Sequence, residues 1–200
     1  MKFFLSGFLA LVFAVLGLPS QGLTLPITYT ANIDGPSESP PNASPGTGFA
    51  TVIYDSAVHA LEVQVTFSGL LGTTTAAHIH APTAVPLDGT AGVATQVPSF
   101  VYFPLGVTSG TYDHIFLNID IDASVWNPAF IAAHGGTPAS AEAAFDEALA
   151  DGRAYLNIHS TFRPGGEIRG FLAVPAPATM LLFGTGLAGL AATRLRRKKQ

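Results

Sequence analysis

Leu61, Val63, Val65 and Phe67 alternate with Glu62, Gln64 and Thr66. A period of two puts one face of a strand on a core and the other in solvent. The same alternation marks Tyr155, Asn157 and His159 against Leu156 and Ile158, predicting a second half-buried strand. Arg163-Pro164-Gly165-Gly166 follows as a turn, because proline presets φ and glycine accepts positive φ. Glu167 to Leu172 then returns as a strand, so residues 154–172 read as a hairpin with Glu167 and Arg169 on one face. Further strands are expected over Pro26–Ile33, Phe49–Tyr54, Thr75–Ala81, Val97–Phe103 and Thr111–Ile121. In the last of these, Ile115, Leu117, Ile119 and Ile121 form the inward face, and Asn118, Asp120 and Asp122 continue the outward row.

The β pattern breaks between Trp126 and Asp151. Thr137 before Pro138 is an N-cap followed by proline at the first helical position. The alanine-rich run to Ala150 carries Phe145 and Leu149 four apart, and Gly152 is a natural stop. A shorter helix is expected over Pro128–Ala133. Residues 35–48 are rich in Gly, Pro, Ser and Asn and read as a surface loop. Many short strands with turn signals between them imply a mainly β fold, an antiparallel sandwich or barrel. One or two short helices precede its last hairpin.

The two ends follow different rules. Met1 to Gly22 has one lysine, an apolar run from Phe3 to Leu18 and small residues at Ser20 and Gly22. This is the pattern of a secretory signal peptide removed by signal peptidase. At the other end, Val174-Pro175-Ala176-Pro177 is a stiff extended box. An apolar helix over residues 178–193 and a basic tail of residues 194–199, with Arg194, Arg196 and Arg197, complete it. The tail would stay cytoplasmic and leave the domain of residues 25–173 outside the membrane, anchored transiently.

Composition sharpens this picture. Between the ends, Arg153, Arg163 and Arg169 face all thirteen acidic residues, which excludes a basic footprint for nucleic acid. The chain has no cysteine, so an exported fold must stand without disulfides.

The C-terminal stretch VPAPATMLLFGTGLAGLAATRLRRKK resembles the PEP-CTERM sorting signal of Gram-negative bacteria. Ala176 stands where that motif usually has glutamate. The resemblance implies cleavage by an exosortase-type membrane protease, an inner-membrane intermediate, and delivery to the cell surface or extracellular matrix. The middle of the chain resembles the CHRD domain, named after chordin. The matching stretches are YTANIDG, LEVQVTFSGL, AHIHAP and GRAYLNIHSTFRPGGEIRGFL. In the last, Asn157, His159, Gly166, Glu167, Arg169 and Gly170 sit in the family's pattern. That resemblance implies an antiparallel β-sandwich, of immunoglobulin-like or superoxide-dismutase-like Greek-key type, and no settled activity.

His78 and His80 are two apart in a strand and share a face. With His159 from a neighbouring strand they would make a three-nitrogen site for zinc or copper. The competing reading is that these histidines are hydrogen-bonded within the domain. Glu167 and Arg169 could serve as acid and electrostatic stabiliser, but at strand spacing they are better read as paired with each other or across strands. The Asn118, Asp120, Asp122 row is either a calcium site or a solvated face. His59, His114 and His134 have no evident partner. No nucleophile motif or phosphate loop is present. The leading expectation is therefore a non-enzymatic surface protein without a cofactor, contacting exopolysaccharide or other envelope components. The alternative is a zinc- or copper-binding, superoxide-dismutase-like domain using His78, His80 and His159.

Overall fold

The computed structural model describes residues 25–176. The signal peptide, the apolar helix and the basic tail expected from sequence lie outside these residues. None of the described helices is long and apolar enough to cross a membrane.

The strands are β1 (Ile27–Asp34), β2 (Thr47–Asp55), β3 (Ala60–Ser68), β4 (Thr74–His80), β5 (Gly110–Phe116), β6 (Tyr155–Ser160) and β7 (Ile168–Phe171). They form a single curled antiparallel sheet in the order β4-β6-β7-β1-β2-β3-β5, where a sandwich of two sheets was expected. The join is narrow: Asp34 of β1 pairs with Arg169 of β7, and a bridge links Thr30 to Ala173. Gly170 makes it possible, since a Cβ there would collide with the Asn32 carbonyl oxygen. One buried apolar cluster spans both halves, from Leu61, Val63 and Val65 of β3 to Leu156 and Ile158 of β6.

Strand β3 sets the pattern for its neighbours. Its inward Leu61, Val63 and Val65 pair with Tyr54, Val52 and Ala50 of β2 and with Phe116, His114 and Tyr112 of β5. Directly opposed residues share a face. The inward row of β5 is therefore Tyr112, His114 and Phe116, one residue out of step with the expected row. Ile115, Leu117 and Ile121 are exposed. The strand stops at Phe116, and Asn118 turns the chain with φ of 55°. Only Ile119 of the expected row is buried, and its carbonyl accepts from Trp126 Nε1 at 2.7 Å.

Val97–Phe103 is not a strand. It belongs to an irregular segment that covers the free edge of β4 with both side-chain and main-chain groups. Thr95 Oγ1 accepts from Ile79 N at 2.9 Å and Ser99 Oγ from Ala77 N at 3.0 Å. Ala94 N and Phe100 N donate to Ile79 O and Ala77 O at 3.0 and 3.1 Å. Proline at 98 has no donor for a regular ladder, and hydroxyls complete the edge instead.

The helices fall as expected before the last hairpin, α1 over Pro128–Ala133 and α2 over Pro138–Ala150, with a short 3-10 turn at Ala123–Val125. Thr137 caps α2 in a reciprocal box with Ser140, each backbone amide bonding the other's hydroxyl at 3.2 Å. Ala141, Phe145, Ala148 and Leu149 bury one side of the helix, and Phe145 meets Trp126 edge-on at 5.3 Å.

Candidate functional site

Strand β6 lies between β4 and β7, and both its faces are buried, where half-burial was expected. Leu156 and Ile158 enter the apolar core. Tyr155, Asn157 and His159 point the other way, under the 82–104 segment and the β1–β2 loop. Register puts His80 opposite Tyr155, His78 opposite Asn157 and Ala76 opposite His159. The small Ala76 leaves room for the His159 ring to lean toward β4. Ring centroids are 5.1 Å apart for His78–His159, 5.8 Å for His78–His80 and 5.7 Å for His80–His159.

One ring nitrogen of each histidine lies within 4.8 Å of one from each of the other two. The outward nitrogens are all committed. His78 Nε2 meets Pro98 O at 2.6 Å, His80 Nδ1 meets Ala91 O at 2.9 Å and His159 Nδ1 meets Pro164 O at 2.9 Å. A carbonyl only accepts, so each of these nitrogens carries the hydrogen. The lone pairs then fall on His78 Nδ1, His80 Nε2 and His159 Nε2, which are buried with no protein partner. Burial lowers the pKa of His78 and His80 to about 4, against the opposing pull of their carbonyl bonds, and lowers that of His159 as well. The rings are thus neutral at ordinary pH. Three neutral imidazoles, each oriented by a backbone carbonyl on its other nitrogen, form a donor set for zinc or copper.

The surroundings of the trio are also ordered. The Tyr155 ring stacks on His80 at 4.9 Å and 6°. The Arg169 guanidinium lies 4.7 Å from the centre of the Tyr155 ring. Arg169 donates from Nε to Ser37 O at 2.5 Å and from Nη1 to Gly89 O at 3.0 Å, which ties the β1–β2 loop to the 82–92 segment. Glu38 Oε2 lies 3.8 Å from Arg169 Nε. Burial raises the Glu38 pKa to about 7 even with Arg169 nearby.

Glu167 and Arg169 are not paired with each other. Glu167 precedes β7, so the strand rule that places alternate residues on one face does not extend to it. Its fully buried carboxylate accepts from Ser44 Oγ at 2.6 Å, Leu71 N at 2.6 Å, Gly72 N at 3.2 Å and the Ser160 hydroxyl. Burial pushes its pKa up, but these donors outweigh it and hold the carboxyl below its ordinary range. Gly166, at φ of 131°, lets the turn pass close to Asn157 and Glu38.

A second constellation escaped the sequence. His59, at φ of 52° in the β2–β3 turn, sets Nδ1 2.9 Å from Glu142 Oε2 of α2 and Nε2 3.9 Å from Asp120 Oδ2. Tyr54 OH donates to Glu142 Oε1 at 3.0 Å. No spacing signals this group, because its members come from a turn, a loop and a helix. The Asn118, Asp120, Asp122 row is dispersed: Asn118 turns the chain, Asp120 approaches His59, and Asp122 caps the 3-10 turn through Ser124 N at 2.9 Å. His134 Nδ1 meets Phe130 O at 2.8 Å, and His114 packs edge-on against Phe116 at 4.6 Å.

A family model described as CHRD domain matches residues 29–172, and one described as PEP-CTERM protein-sorting motif matches residues 173–198. No curated protein and no solved structure matches the chain.

Proposed function

Since the chain belongs to the CHRD domain family and carries a PEP-CTERM sorting motif directly after it, we propose that it is a non-enzymatic metal-binding protein of the cell envelope. The sorting motif implies export to the envelope and processing by an exosortase-type membrane enzyme. Residence in the extracellular matrix of a Gram-negative bacterium, among exopolysaccharide, is the finer part of the proposal. Of the two roles open from sequence, binding or organising envelope material and metal binding, the second has a specific observation behind it. Three buried imidazole lone pairs converge, each with its other nitrogen bonded to a carbonyl. Histidines kept only for packing would be satisfied at both nitrogens or reach solvent.

In this role His78, His80 and His159 hold zinc or copper, and Tyr155 and Arg169 keep the His80 ring and the covering loops in place. The processed protein, purified without a histidine tag, should take up one zinc or copper ion per chain by elemental analysis. Equal uptake by a His78→Ala/His80→Ala double variant would sink the proposal. Retention of the C-terminal peptide on envelope-bound protein, read by mass spectrometry, would sink the processing step.

A further inference from the structure

We infer that the metal held by His78, His80 and His159 keeps an exchangeable fourth position, taken by water or a small anion seated against the Asn157 side-chain amide. This rests on the metal-binding reading above and adds to it a class of exogenous ligand and the residue that receives it.

The first ground is charge. The trio is all imidazole, with no carboxylate in the group. A divalent ion held by three neutral nitrogens keeps its full charge in a buried site. Uncompensated charge is strongly disfavoured in a buried site. The Arg169 guanidinium over Tyr155, which stacks on His80, adds positive charge near the site, and Glu38 lies 3.8 Å from Arg169 Nε. Zinc and copper take four or more ligands at sites of this kind, and three-histidine zinc sites use a solvent-derived fourth. A fourth ligand that can be hydroxide or another anion answers both the coordination number and the charge.

The second ground is the position of Asn157. It lies directly opposite His78, and along β6 it stands between Tyr155, the partner of His80, and His159. No other side chain on this face neighbours all three positions in the ladder. Asn157 is buried, and its Oδ1 has no protein partner. A primary amide accepts through its oxygen and donates through its nitrogen, so it can bond either a protic water or an anion. A buried polar atom left without a partner is unfavourable.

The third ground is the corner beside it. Glu38 Oε1 is a second buried acceptor without a partner. A Cβ on Gly166 would lie 2.5 Å from Asn157 Nδ2, 2.7 Å from Asn157 Oδ1 and 2.6 Å from Glu38 Oε1. Glycine at this position leaves both polar side chains unobstructed. Among the described residues, five of the six buried side-chain atoms that lack partners belong to His78, His80, His159, Asn157 and Glu38. Such a concentration in one place marks a site for a polar guest.

The test uses copper(II) on the processed protein, with azide as the probe. Azide displaces the bound water and leaves the copper oxidation state unchanged. One copper per chain and a saturable azide-to-copper charge-transfer band are expected. Asn157→Leu should keep copper uptake and bind azide about fivefold to tenfold more weakly, the worth of one hydrogen bond. Should that variant fold poorly, relaxation of solvent protons by copper in the wild type reads the same position, since an exchanging water enhances it. Copper bound one to one with neither an azide band nor enhanced relaxation would overturn the fourth position and leave the three-histidine reading standing. Unchanged azide affinity in folded Asn157→Leu would overturn the role of Asn157. No copper or zinc uptake at all would overturn the metal reading, and the inference with it.

Discussion

The Ser44 hydroxyl donates to the Glu167 carboxylate at 2.6 Å across 123 positions of sequence. The bond joins the β1–β2 loop to the turn before β7. Through Leu71 N and Gly72 N the same carboxylate also holds the loop between β3 and β4. Glu167 thus anchors three loops and the end of β6, with its charge stabilised by hydroxyl and amide donors.

Replacing it should be costly. Glu167→Ala leaves two hydroxyls and two amides without their acceptor, and a loss of at least about 3 kcal/mol is expected in urea unfolding. A loss under about 1 kcal/mol would show that water substitutes for the carboxylate. The folded pKa lies below the ordinary value of 4.5. This contribution is therefore present above that value and is lost as pH falls through the folded pKa. Glu167→Gln should flatten the acid limb of the stability curve.

The histidines act in a higher pH window. His78 and His80 fall from 6.5 to about 4 on folding. Between those values the unfolded chain binds more protons than the folded one. Stability of the metal-free protein should be full above pH 6.5 and fall steadily toward pH 4, by a few kcal/mol in all. Chemical denaturation across this range checks it, and a His78→Leu/His80→Leu variant should lose most of the slope.

Two adjacent glycines should behave oppositely. Gly166→Ala meets the Asn157 and Glu38 side chains at 2.5–2.7 Å and requires φ of 131°. It should cost about 2 kcal/mol or more. A Cβ on Gly165 meets nothing within 4 Å, and Gly165→Ala should change the melting midpoint little. Equal effects in thermal unfolding would contradict the close approach at Gly166.

The cap of α2 gives a smaller effect. Thr137→Ala removes the hydroxyl bonded to Ser140 N and should cost about 1 kcal/mol by denaturant titration. Thr137→Ser should restore most of it.

The site was partly legible in the sequence. The i, i+2 spacing of His78 and His80 placed both on one face, and the motif around Asn157 drew in His159. The three-nitrogen group expected from them does converge; what was not legible is how, since that needs Ala76 opposite His159 and carbonyls from Ala91, Pro98 and Pro164. Of the two pairings expected for Glu167, the one across strands holds through Ser160 of β6 and the one with Arg169 does not; its other partners Ser44, Leu71 and Gly72 lie far from it in sequence.

Features that depend on near neighbours could be read directly along the chain. Alternation in β3 and β6 specified strands, Thr137 and Pro138 specified the start of α2, and the pattern of the last residues specified a sorting signal. Only the tertiary structure decided which row of β5 turns inward, what covers β4, and that one curled sheet forms. Side-chain alternation is a property of one strand, whereas register and cover are set by contacts with distant segments. A shift of one residue in pairing exchanges the two faces, as the burial of Tyr112 and Phe116 in place of Ile115 and Leu117 shows.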